Sequence, residues 1–245
     1  MKNKIIRILV IIFMIVCLCG IVYYCYNIIT WKKDLNENKE IHEEINNLVI
    51  IEPDDDTTSK YKINFDSLKK KNSDTVAYLN VKNTSISHVV VKGKDNDYYL
   101  HHNFNKKWST AGWVFADYHN KYDGTDKNLV IYGHSMRNGS MFGTLRNVVK
   151  KTWYENKDNY IIDLVTPDGE FTYKVFSVYV IKSEDYYINT KFKDNNEFDK
   201  FVKTLTKRSR YNFNVKVDGK NQILTLSSCY DNNDRRVVLH AVLVK

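Results

Sequence analysis

Between Ile8 and Ile29 the chain carries no charged residue and is rich in Ile, Val and Leu, and no other feature constrains the fold as strongly. As an α-helix this run is about 33 Å long, enough to cross the hydrocarbon core of a bilayer, so it belongs to no globular core. Lys2, Lys4 and Arg7 precede it, and the positive-inside rule then places the N-terminus in the cytoplasm and everything after Trp31 outside. A cleaved signal peptide is the rival reading. The run is long for one, and Tyr23-Tyr-Cys-Tyr26 stands where a small-x-small cleavage site would be. A retained, single-pass membrane anchor over residues 1–30 is the expectation.

The rest of the 245-residue chain is long enough for one domain with its own core. Three of the four cysteines, Cys17, Cys19 and Cys25, lie in the apolar run, where they act as small apolar side chains. The part outside the membrane therefore has only Cys229 and no disulfide, although its compartment permits one. Net charge is +8, of which Lys2, Lys4 and Arg7 supply three, leaving +5 for the remainder. That excess suits an anionic cell envelope. There is no dense stripe of Lys and Arg interleaved with aromatics, so nucleic acid is not an expected partner.

Residues 31–73 read as a membrane-proximal helical segment and linker. Leu35, Ile41, Ile45 and Leu48 recur at helical spacing, an apolar stripe able to dock on the domain. Glu52 to Lys60, with one Pro, three adjacent Asp and three hydroxyl residues, reads as a loop; the three aspartates lack the spacing of a cation site. A short helix is expected over Asn64 to Lys71, with Asn64 or Asp66 as its cap.

From residue 74 to 245 the pattern is mainly β. Runs at Thr75–Val81, His88–Val91, Gly112–Ala116, Leu129–Tyr132, Tyr160–Val165, Phe171–Ile181, Gln222–Ser228 and Val237–Val244 are separated by Asn, Asp, Gly and Lys turns, the spacing of a barrel or sandwich. Helices are expected at Ser140–Lys150 and Asn195–Lys207, the latter with Phe198, Phe201, Val202 and Leu205 on one face.

Cys229 closes the run Ile223-Leu-Thr-Leu-Ser-Ser-Cys229, with no disulfide partner outside the membrane, which makes chemistry its first explanation. A thiol nucleophile needs a group that handles protons and one that holds the developing oxyanion. Of seven histidines, His134 is placed best, at the end of the apolar run Leu129-Val-Ile-Tyr-Gly-His134 and ahead of a polar loop. His240 lies within the last strand and reads as a hydrogen-bonded structural residue. His42, His88, His101, His102 and His119 rank below His134, and no His or Cys spacing fits zinc, so no metal and no cofactor is expected. Arg235 and Arg236 open the last strand, either able to bring a guanidinium fork near the thiol. Neighbours on a strand point to opposite faces, and the spacing alone does not choose between them.

Together these residues resemble a known family. Thr225-Leu-Ser-Ser-Cys229 resembles the TLxTC signature of the sortases, cysteine transpeptidases of the Gram-positive cell surface, and Tyr132-Gly-His-Ser-Met-Arg-Asn-Gly-Ser-Met-Phe142 resembles their histidine motif. Arg236-Val-Val-Leu-His-Ala241 and Tyr98-Tyr-Leu-His-His-Asn-Phe104, followed by Ser109-Thr-Ala-Gly112, match as well, in the same order. The N-terminal helices, the helix before the penultimate strand and the lack of a C-terminal span are those of class B. Ser228 stands where the signature usually has threonine, and His88-Val-Val-Val-Lys92 lacks the Pro and Gln common there.

The resemblance implies a closed eight-stranded β-barrel with flanking N-terminal helices and a helix in the loop before the penultimate strand. It further implies a catalytic set of Cys229, His134 and Arg236, with Arg236 rather than Arg235 in the arginine's place. Substrate contacts carried over are Ser227, Tyr187, Ile188, Leu100 and Asn96. Asp231 is read as part of a turn, although a carboxylate there has the reach to orient His134. The implied reaction cleaves a C-terminal sorting motif after Thr through a thioacyl-enzyme and passes the surface protein to an amine of a peptidoglycan precursor or cross-bridge. A free thiol titrates near pH 8.5, so such a site either lowers that value or runs on a minor thiolate–imidazolium population. An envelope cysteine hydrolase, a sortase of another class and a membrane-anchored binding module are the alternatives.

Overall fold

The computed structural model describes residues 2–51, 60–182, 184–230 and 234–245. They form two compact units, Met1–Glu40 and Ile41–Lys245. Helix α1, Lys2–Asn46, is continuous, so the separate N-terminal helices expected on either side of Trp31 are one. No Gly or Pro stands at the junction to break the ladder, and the Thr30 hydroxyl bonds back to the carbonyls of Tyr26 and Asn27. In the first unit the apolar side chains of α1 are exposed, and the helix is long and apolar enough to cross a membrane.

In the second unit the end of α1 buries Ile41 and Ile45. β1 (Val49–Ile51) and β2 (Tyr61–Ile63) pair antiparallel as a small sheet of their own. The sequence did not announce this pair, because three residues are too few for an alternation to register. Of the loop expected at Glu52 to Lys60, only Lys60 falls among the described residues; its ammonium meets Asp163 at 2.8 Å, and the Tyr61 hydroxyl donates to the same carboxylate at 2.6 Å. α2 (Phe65–Lys71) starts where Asn64 Oδ1 accepts the Ser67 N–H at 3.0 Å, the expected cap.

Eight further strands follow: β3 (Thr75–Val81), β4 (Ser87–Val91), β5 (Phe115–Ala116), β6 (Asn128–Tyr132), β7 (Ile161–Thr166), β8 (Gly169–Lys182), β9 (Ile223–Cys229) and β10 (Arg235–Leu243). They close into a barrel in the order β10-β8-β7-β3-β4-β5-β6-β9, which leaves no open sheet edge. β4–β5 and β6–β9 are parallel; the other pairs are antiparallel. Two expected elements differ in extent. Of Gly112–Ala116 only Phe115 and Ala116 are strand, because Gly112 turns the chain at φ +57° and Trp113 N–H bonds to the Tyr99 carbonyl instead of a sheet neighbour. Of Ser140–Lys150, Gly143–Val149 is 3₁₀ helix, followed by a short helix α3, Lys151–Glu155.

α4, Asn195–Arg208, lies in the connection from β8 to β9, as expected. Asp194 caps it by accepting the Glu197 N–H at 2.8 Å. Its face of Phe198, Phe201, Val202 and Leu205 is buried against Phe176 and Tyr179 of β8, Ile223 of β9, Val238 and Val242 of β10, and Tyr187. At about 2 kcal/mol for each large apolar side chain removed from water, this contact is what holds the connection down.

Candidate active site

The topology gathers the site at one rim of the barrel. β6 and β9 are parallel, with Tyr132 beside Ser227, so both strands end at the same rim. β10 is antiparallel to both β9 and β8, which brings its first residues and the exit of β8 to that rim too.

Along the β9–β10 ladder, Ile223, Thr225, Ser227 and Cys229 face the same way as their partners Val242, His240, Val238 and Arg236. The apolar end of this face lies under α4. In the middle, the Thr225 hydroxyl donates to Asn128 Oδ1 at 2.7 Å and lies 2.8 Å from His240 Nδ1, while the Tyr179 hydroxyl is 2.8 Å from His240 Nε2. His240 is thus the hydrogen-bonded structural residue expected of it, and its complete burial, with Arg208 adding to the effect, holds its pKa down at about 3. The open end of the face is the Cys229–Arg236 pair. In this register Arg236 pairs directly across from Cys229, whereas Arg235 lays its guanidinium over the Tyr230 ring at 5.2 Å.

His134 arrives from the end of β6. Ser228 Oγ donates to the Gly133 carbonyl at 2.7 Å, tying the residue before the thiol to the residue before the imidazole. Gly133 admits no side chain, since a Cβ there would stand 2.7 Å from the Phe142 ring. His134 Nε2 bonds to the Leu100 carbonyl at 2.9 Å. A carbonyl only accepts, so Nε2 carries the hydrogen and Nδ1 is the basic nitrogen of the neutral ring. Leu100 is itself held by the turn at Gly112, where a Cβ would come within 2.4 Å of the Tyr99 carbonyl.

Cys229, His134 and Arg236 line one cleft of about 260 Å³ together with Ser227, Tyr187, Ile188, Leu100 and Asn96. All eight residues singled out in the sequence therefore meet at one place. Tyr187 stands on a 3₁₀ turn after β8, its hydroxyl 3.0 Å from Ser227 Oγ, and burial before any other cause raises its pKa. Phe115, Tyr132, Glu184 and Asp185, which are not among the sequence candidates, also line the cleft. Tyr132 had a signal, standing within the Tyr-Gly-His motif; Glu184 and Asp185, in a polar loop, had none. Asp231 falls outside the described residues.

A thiol, an imidazole and a guanidinium converging on one cleft are the equipment of a cysteine enzyme working by acyl transfer. Residues 79–244 match the family model described as Sortase domain. Sortase B of Listeria monocytogenes is 37% identical over 180 residues, 72% of each chain. Sortase B of Bacillus anthracis, solved in complex with AAEK1, superposes with a TM-score of 0.76 at 30% identity, covering 87% of this chain and 99% of that one. The Staphylococcus aureus sortase B–substrate complex gives 0.69 at 32% identity, over 74% and 84%. The chain belongs to the sortase family, and its similarities place it with the class B members. It is a cysteine transpeptidase of cell-wall anchoring, built on a closed barrel.

Proposed function

We propose that this enzyme cleaves a C-terminal sorting motif after its threonine and transfers the upstream protein to a cell-wall amine, with Cys229, His134 and Arg236 as its catalytic residues. Cys229 Sγ, as thiolate, adds to the threonine carbonyl carbon. The carbonyl oxygen becomes an oxyanion facing the Arg236 guanidinium, a permanent charge with a planar donor fork. The C–N bond then breaks, His134 gives its proton to the departing amine, and a thioester to Cys229 remains. An incoming amine of a peptidoglycan precursor or cross-bridge adds to that thioester, His134 takes its proton, and the C–S bond breaks to return the thiolate.

The observation that carries this reading is the pairing of Arg236 with Cys229 across the β9–β10 ladder in the cleft that His134 also lines. Ser227, Tyr187, Ile188, Leu100 and Asn96 are the proposed walls of the sorting-motif groove. Helix α1 is proposed to anchor the enzyme as a single span, N-terminus inside, with the barrel on the outer face of the membrane.

The test uses the 245-residue chain in detergent micelles and a panel of fluorogenic peptides carrying sorting-type motifs, with and without triglycine, beside Cys229→Ala. Products are read by mass spectrometry. Threonyl–glycine conjugates that vanish in the variant are the expected result. Free acid alone, indifferent to the amine, would make the enzyme a hydrolase instead.

A further inference from the structure

Behind one wall of the cleft lies a carboxylate with no place in the mechanism above. Asp117 follows β5, is 2% exposed, and accepts four hydrogen bonds. Its Oδ1 takes the backbone N–H of His119 at 2.9 Å and His119 Nδ1 at 2.8 Å. Its Oδ2 takes Asn96 Nδ2 and the Tyr132 hydroxyl, each at 2.8 Å. An ionised carboxylate only accepts, so every neighbour must donate to it.

Two of those neighbours, Asn96 and Tyr132, are walls of the cleft. For both, the bond to Asp117 settles what is left to offer a substrate. Asn96 Oδ1 is occupied by the Tyr118 N–H at 3.1 Å, and one hydrogen of its amide nitrogen is committed to Asp117, so the amide's orientation is set and one N–H donor remains. Tyr132 has spent its only proton on Asp117, and burial followed by the Asp117 charge raises its pKa, so the hydroxyl keeps its proton and offers lone pairs only. One wall thus presents a donor and an acceptor whose polarity cannot reverse while Asp117 is ionised. The N–H and C=O of one residue in an extended chain, which point the same way, are the complement of such a pair.

We propose that Asp117 is a positioning residue for substrate recognition: it fixes Asn96 as a donor and Tyr132 as an acceptor, and this pair takes the C=O and the N–H of one extended residue of the sorting motif on the N-terminal side of the threonine. The inference rests on the transpeptidase reading and adds to it a residue that touches neither substrate nor thiol.

The test compares wild type, Asp117→Asn and Tyr132→Phe in detergent, on the peptide that the panel identifies and on ester analogues in which each backbone N–H before the threonine is replaced in turn by oxygen. In Asp117→Asn the amide can donate where four donors already point inward. KM is expected to rise about tenfold, the size of one lost hydrogen bond, while kcat and the rate of Cys229 alkylation by iodoacetamide stay within about twofold. Tyr132→Phe, which removes only a hydroxyl, keeps the inference open to refutation if Asp117→Asn does not fold. In wild type one ester position raises KM by about tenfold, and in Tyr132→Phe that same ester costs nothing further. An active wild type whose KM is unchanged in the variants, or whose ester series Tyr132→Phe leaves intact, overturns the inference alone. Loss of thiol alkylation in Asp117→Asn overturns it too, since the residue would then serve the barrel rather than the wall. If wild type turns over no peptide at all, the transpeptidase reading fails and the inference falls with it.

Discussion

At the residue scale, the two adjacent arginines show how a strand turns one position of difference into a difference of surroundings. Arg236 faces the thiol across the ladder, and Arg235 packs on Tyr230. Arg236→Lys keeps the charge but loses the planar fork, and kcat/KM is expected to fall about 100-fold, the size of a lost oxyanion contact. Arg235→Ala should leave it within about threefold, in the same fluorogenic assay. Equal losses would mean that the guanidinium at the reacting carbonyl is not that of Arg236. For His134, the bond from Nε2 to the Leu100 carbonyl leaves Nδ1 to handle the proton, and His134→Ala is expected to lower kcat by a factor of about 100 to 10,000. Burst titration of the thiol with an alkylating peptide would show whether the loss lies in acylation.

At the element scale, α4 links stability to the site. Tyr187, a proposed substrate contact, belongs to the same buried cluster as Phe198, Phe201 and Leu205, so the helix holds down the loop that walls the cleft. Phe198 is fully buried, and Phe198→Ala is expected to lower the unfolding free energy by about 3–5 kcal/mol. Urea titration of residues 31–245 measures it. A loss below about 1 kcal/mol would show that α4 contributes little to holding the barrel together. The helix was legible in the sequence because its four apolar residues recur at a strict helical period. The β1–β2 pair was not, since pairing over three residues depends on a partner that no local pattern names.

At the scale of the whole molecule, acid should unfold the barrel through its buried histidines. His88 is wholly buried against His42 and Trp113, and burial, with His42 adding repulsion, holds its pKa at about 3; His240 sits at about 3 as well. Unfolded, both return to about 6.5. Between those values the unfolded chain binds two protons that the fold refuses, so the stabilisation is complete above pH 6.5 and is lost as pH falls towards 3. Near pH 5 the slope due to these two residues is about 2–3 kcal/mol per pH unit. His88→Leu is expected to remove about half of it, measured as the pH dependence of urea unfolding; an unchanged slope would refute the assignment. Removing residues 1–30 should move the enzyme from the membrane pellet to the supernatant with peptide turnover within about twofold, because no proposed site residue lies in that stretch.

The sequence by itself determined the apolar helix, the β-rich domain and seven strands close to their observed extents, and its family resemblance singled out eight of the residues that line the cleft. Helical and alternating periods are local, and the motifs around His134 and Cys229 are contiguous. What only the tertiary structure decided is relational. That the Arg236 side chain, rather than that of Arg235, faces the thiol follows from the pairing of β10 with β9. The hydrogen on His134 Nε2 follows from a carbonyl thirty-four residues away in the chain. Asp117 behind the wall follows from bringing Asn96, His119 and Tyr132 to one carboxylate. Each depends on which chemical group fills the space beside another once the barrel closes, and a local pattern holds no record of that.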